Sequence, residues 1–96
     1  MTEKNIEQYL VRKVRETGGK AYKFVSPGNA GVPDRIVILP SGRIIFVELK
    51  APGKVPTALQ KAKHRELEKL HQKVLVIDSK EKVDTVLQQE KGCDAR

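Results

Sequence analysis

Two β-branched runs, Asp34 to Leu39 and Arg43 to Lys50, are separated only by Pro40-Ser41-Gly42. That connection has the length and composition of a three-residue hairpin loop with Gly42 in the left-handed position, so two adjacent antiparallel strands are predicted. The register then follows. Pairing Leu39 with Arg43 sets Ile36 opposite Phe46 and Asp34 opposite Glu48, with their Cβ atoms about 4.5–5.5 Å apart. Alternation along the second strand puts Ile44, Phe46, Glu48 and Lys50 on one face and Ile45, Val47 and Leu49 on the other.

Two carboxylates opposed at that distance repel one another, and something must compensate. A divalent cation would, and Lys50 beside them would neutralise further. The same geometry suits phosphodiester hydrolysis with Mg²⁺ or Mn²⁺ held by oxygen ligands. Asp34, Glu48 and the Leu49 carbonyl are the candidate ligands. Lys50 is the candidate for orienting a water or stabilising charge on the phosphate. The ordinary alternative for Glu48 and Lys50 is a solvated ion pair on an edge strand, which leaves Asp34 unexplained.

The rest of the chain supplies a scaffold for this hairpin. Ile6, Leu10 and Val14 recur at helical spacing between Thr2, a candidate N-cap, and the Gly18-Gly19 stop. Glu7 lies at the margin of that apolar face, either looking toward the carboxylates or simply exposed. Lys20 to Ser26 reads as a strand ending at Pro27-Gly28. Thr57-Ala58-Leu59-Gln60 has capping-box form and opens a basic helix to about His71, with Leu59, Leu67 and Leu70 as its apolar side. Gln60 therefore has a structural role available and a site role beside it. Val74 to Ile77 suits a strand buried on both faces, and Ser79 can cap a last helix carrying Val83, Val86 and Leu87. The order is α-β-β-β-α-β-α, an α/β fold with a mixed central sheet flanked by helices. A single domain is expected over 1–91, with 92–96 a disordered tail.

With 39% hydrophobic residues the core is small, and dimerisation would help stabilise it. The single Cys93 offers neither a disulfide nor a cysteine zinc site, and no haem or iron–sulfur motif is present, so no organic cofactor is implied. No apolar run approaches membrane-span length and the first residues lack a signal peptide's apolar stretch, so a soluble cytosolic protein is expected.

Nineteen Lys and Arg against twelve Asp and Glu give a net charge of +7, which favours an anionic partner. The basic excess concentrates in residues 1–23 and 51–73, where Arg12, Lys13 and Arg15 and then Lys54, Lys61, Lys63 and Arg65 are candidate phosphate contacts or ordinary solvated faces. Aromatic residues are too few for base stacking to dominate. Ser26 and Asn29, in the loop before Asp34, either approach substrate or only shape the turn. His64 and His71 read as surface residues, His64 with an outside chance of touching phosphate.

The turn Gly31-Val32-Pro33-Asp34 followed by Val47-Glu48-Leu49-Lys50 resembles the signature of the PD-(D/E)XK nucleases, a restriction-endonuclease-like core. With Glu7 on the preceding helix and Gln60 on the following one, the chain is most similar to the VRR-Nuc family, in particular its stand-alone phage and bacterial members. The resemblance spans roughly Ile6 to Ile77. It implies metal binding by Asp34, Glu48 and the Leu49 carbonyl, a catalytic role for Lys50, and support from Glu7 and Gln60. It also implies Mg²⁺ or Mn²⁺ dependence, a homodimer and cleavage of branched DNA such as four-way junctions, in a phage- or prophage-encoded protein of a bacterial host. The rival readings are a non-catalytic nucleic-acid-binding module and a sequence-specific restriction-type nuclease, the latter with little chain left for base reading. RNA is open as a substrate.

Overall fold

Helix α1 (Glu3–Glu16) begins where Thr2 and Asn5 exchange hydrogen bonds, each side chain accepting from the other's backbone amide. This capping box satisfies two otherwise free N–H groups. Ile6, Leu10 and Val14 are buried along one side of the helix, as their spacing predicts. The helix ends at Thr17, and Gly18 follows in the left-handed region at φ 92°. The computed structural model describes residues 1–94, with side chains through 91.

Four strands form one mixed sheet: β1 (Lys20–Lys23), β2 (Arg35–Ile38), β3 (Ile44–Leu49) and β4 (Lys73–Ile77), in that spatial order. The first three are antiparallel and β4 runs parallel to β3. Parallel pairing requires a crossover, which is supplied by α2 (Ala58–Lys69). The chain closes with α3 (Lys80–Asp94), whose first turn is capped by Ser79 accepting from the Lys82 amide at 3.0 Å.

The hairpin has the predicted register. Arg35 pairs with Val47, Ile36 with Phe46 and Ile38 with Ile44, and the Leu39 amide donates to the Arg43 carbonyl at 2.9 Å. Gly42 takes φ 91°, the left-handed position the loop requires. One sheet face carries Val37, Leu39, Ile45, Val47, Leu49 and Ile77 into a core with Ile6, Leu10 and Val14 of α1 and Val83 and Val86 of α3. Each fully buried aliphatic there contributes about 1.5–3 kcal/mol.

The other face bears Tyr22, Ile36, Phe46 and Val74 in one row across the strands. α2 packs against β4 on this side, and Tyr22 and Ile44 are largely exposed.

Three expectations are corrected. β1 ends at Lys23 rather than Ser26, although the Phe24 amide still bonds the Asp34 carbonyl at 2.9 Å. β4 is an edge strand, so Val74, Leu75 and Val76 are half-buried rather than enclosed on both faces. Leu59 and Leu70 are 53% and 65% exposed, because α2 turns Gln60, His64 and Leu67 inward and those two leucines lie about a quarter-turn away. Helix α3 runs through Asp94; of the expected tail 92–96, residues 95–96 lie outside the described residues.

Candidate active site

The hairpin register extends one step beyond its last paired residues and brings Asp34 opposite Glu48. Asp34 is fixed there by its own hydrogen bond: its Oδ2 accepts from the Leu49 amide at 2.8 Å. Glu48 is 1% exposed, although it is a carboxylate. Burial first, then the charge of Asp34 and a hydrogen bond shared with it, push the Glu48 carboxyl up to about 8; Lys50 opposes this and Glu3 adds to it. A carboxyl raised this far by burial and by a facing carboxylate would be relieved by a nearby cation.

Three side chains converge on Glu48. Lys50, two residues along the same strand face, brings Nζ to 3.9 Å from Oε2. Its backbone amide donates to the Ile77 carbonyl at 3.0 Å, holding the strand end in place. Gln60 uses both ends of its amide: Oε1 accepts from the Thr57 amide at 2.9 Å, and Nε2 donates to Glu48 Oε2 at 3.3 Å. The structural and the site role of Gln60 are thus compatible in one conformation. His64, one turn further along α2, is buried and places Nε2 3.5 Å from Glu48 Oε1. Burial lowers the His64 pKa, with Lys50 acting in the same direction against Glu68 and Asp34.

The expectation that His64 is a surface residue is therefore corrected. The signal that could have found it is its spacing, four residues after Gln60 on the same helical side. Glu3 was also missed. It stands one turn before Glu7 and beside Ile6 in helical phase, and its charge reaches Glu48.

Glu7 itself is bonded elsewhere. Arg35 Nε donates to Glu7 Oε2 at 2.9 Å, and Arg35 Nη1 donates to the Ala21 carbonyl at 3.0 Å. The structure thus brings Asp34, Glu48, Lys50 and Gln60 together and ties Glu7 to the neighbour of Asp34.

The donor set fits a hard divalent ion: two carboxylates and the backbone of Leu49, all oxygen donors. Among the described residues no three His, Cys, Asp or Glu side chains form a closed cage. A Mg²⁺-type site does not need one, since such ions keep several waters and take ligands from substrate phosphates.

The remaining candidates lie further out. Lys54, Lys61 and Arg65 are exposed around the start and outer side of α2, and Lys63 pairs with Glu66 at 3.4 Å. Arg12 and Lys13 both approach Glu16, at 4.0 and 3.2 Å, and both stack over the Tyr9 ring. Asn29 and Ser26 bond each other, side chain to side chain at 2.9 Å and backbone to backbone at 3.0 Å, so they shape the loop leading to Asp34. His71 is exposed, at φ 64° just after α2.

No family model matches the chain. A curated phage protein does: "Putative nuclease p44" of Acyrthosiphon pisum secondary endosymbiont phage 1 is 57% identical over 79 residues, covering 82% of this chain and 85% of the phage protein. A solved structure described as a VRR_NUC domain superposes with a TM-score of 0.84 at 31% identity, covering 92% of this chain and 97% of that one. The helix–hairpin–helix–strand frame agrees with that likeness, and the chain belongs to the VRR_NUC domain family.

Proposed function

We propose that the protein is a metal-dependent, structure-selective DNA endonuclease. The observation that carries this reading is the buried Glu48 carboxyl facing Asp34 with Lys50 alongside, at the open end of the hairpin. Asp34, Glu48 and the Leu49 carbonyl would hold Mg²⁺ or Mn²⁺. When bound, such an ion supplies Lewis-acid polarisation of the phosphate and lowers the pKa of water. Lys50 presents its ammonium group where negative charge develops on the phosphate during hydrolysis, or orients the water. Gln60 keeps one oxygen of Glu48 turned in a fixed direction. Glu7, through Arg35, supports the strand that carries Asp34.

The basic residues around α2, Lys54, Lys61, Lys63 and Arg65, are proposed to track the duplex backbone. Arg12 and Lys13 would extend the contact on α1, with Ser26 and Asn29 shaping the loop at the substrate's edge. Branched DNA such as a four-way junction is the proposed substrate, and a homodimer the acting form. Support for the dimer comes from the uncovered apolar stretch of sheet around Tyr22 and Ile44, beside the carboxylate row, which a second copy would bury. Two sites related by a two-fold axis then address two strands. The phage origin of the matching nuclease supports a phage- or prophage-encoded protein acting in a bacterial host. No helix among the described residues is long and apolar enough to cross a membrane.

The test is cleavage of labelled four-way junction, flap and linear duplex in Mg²⁺, Mn²⁺ or EDTA, beside Glu48→Ala and Lys50→Ala. Junction cleavage that needs metal and is lost in both variants supports the reading. Junction binding with no cleavage in either metal favours a binding module instead. Sedimentation at assay concentration tests the dimer.

A further inference from the structure

His64 belongs to the catalytic centre by position, yet the reaction just described gives it no task. It is buried on α2, where the other inward residues are Gln60 one turn before and Leu67 after. A histidine buried at such a place gives up hydration and must regain a partner. Its partner is Glu48: Nε2 faces Oε1 at 3.5 Å, while Gln60 Nε2 donates to Oε2 at 3.3 Å. Thus each carboxylate oxygen is met by a nitrogen from the same helix, four residues apart.

With its proton on Nε2, His64 would be a second donor on the same helix, and two donors do what a single one cannot. Gln60 and Lys50 both approach Oε2; a donor on Oε1 as well fixes the plane of the carboxylate. Gln60 is uncharged, and an uncharged imidazole adds a hydrogen bond without adding a positive charge that would oppose a cation. Fixing a ligating carboxylate in this way is worth about 10–100-fold in metal affinity where it has been removed.

We infer that His64 is a positioning residue for Glu48, its Nε2–H holding Oε1 so that the Gln60–His64 pair presents the carboxylate in one orientation to a divalent ion. The inference rests on the proposed metal site.

The test measures Mn²⁺ binding directly, by loss of the free-ion electron paramagnetic resonance signal, in the unsubstituted full chain and in Glu48→Gln, His64→Leu and His64→Gln. Glutamine at this position keeps a donor nitrogen at about the reach of Nε2, whereas leucine fills similar space without one. The expected result is Mn²⁺ affinity reduced about tenfold or more in His64→Leu and largely restored in His64→Gln. Thermal midpoints of the metal-free proteins should not follow that order, since leucine satisfies a buried site at least as well as glutamine. Equal affinity in His64→Leu and the unsubstituted chain, with binding lost in Glu48→Gln, overturns the role of His64 and leaves the metal site standing. Equal losses in the leucine and glutamine variants reduce His64 to packing. No Mn²⁺ binding by the unsubstituted chain overturns both readings together.

Discussion

Arg35 grips Glu7: its Nε lies 2.9 Å from Glu7 Oε2, with both side chains mostly buried. The same guanidinium reaches the Ala21 carbonyl, so one side chain joins α1, β1 and β2 immediately beside Asp34. Glu7→Gln keeps an acceptor but loses the charge, and is expected to lower stability by about 1–2 kcal/mol, as for a charged hydrogen bond that is weakened but not orphaned. Urea denaturation checks this. Mn²⁺ affinity should change far less than in Glu48→Ala; an equal loss would put Glu7 among the ligands.

The raised Glu48 carboxyl makes the metal-free protein sensitive to base. A carboxyl whose folded pKa lies above its unfolded value binds a proton on folding, so its contribution is intact below the unfolded value and is lost as pH rises through the folded one. With Glu48 near 8, the melting temperature in EDTA should fall between about pH 5 and about pH 8. Mg²⁺ should flatten the profile by replacing the proton. A flat EDTA profile across that window would contradict the raised carboxyl.

Acid should act at the opposite end of the sheet. Glu90 on α3 is 1% exposed and accepts from Lys73 at 2.7 Å and from Arg43, which join it to the starts of β4 and β3. Burial alone would raise its pKa, but these two bonded cations outweigh burial and hold it below the usual carboxylate range. A depressed carboxyl stabilises above its unfolded pKa, and the stabilisation disappears as pH falls through the folded value. Glu90→Gln should therefore cost about 1–3 kcal/mol at neutral pH, moderated by the partial exposure of both cations, and the difference from the unsubstituted protein should close in acid. Denaturation at pH 7 and pH 3 measures both halves of this statement.

Gly31 sits at φ 89° in the loop before Asp34, against Leu59 at the start of α2. A Cβ there would lie 3.0 Å from the Leu59 side chain and 3.1 Å from its carbonyl oxygen. Gly31→Ala is expected to cost about 1–3 kcal/mol from strain and overlap, and to displace Asp34 from Gln60's helix enough to reduce cleavage. Trimming the neighbour in Gly31→Ala/Leu59→Ala should not restore either, because the backbone overlap remains. Full recovery in the double variant would show that only the leucine side chain mattered.

The hairpin and the helix caps were readable because a few adjacent residues determine them. Pro40-Ser41-Gly42 sets a register, and that register alone brings Asp34 to Glu48. Thr57 and Gln60 likewise announce their box by spacing. What the sequence did not disclose depends on how α2 docks. Its leucines suggested one inward side, but the helix lies along an edge strand and over a carboxylate, where Gln60 and His64 serve better than Leu59 and Leu70. A hydrophobic stripe records burial only when the surface beneath it is hydrophobic too. Glu3 escaped notice for a related reason, since its influence on Glu48 crosses between elements far apart in the chain.

The divided amide of Gln60 also explains a choice of letter. Glutamate closes a capping box as well as glutamine does, and carries a charge that suits a helix start. Here it would turn an oxygen toward Glu48 where a nitrogen is needed, adding a third carboxylate to a pair already in conflict. Helix initiation alone accepts either residue; the carboxylate behind the helix accepts one. Swapping the two is an almost invisible change of composition, yet it would leave the scaffold's start signal intact while reversing the polarity offered to the buried acid behind it.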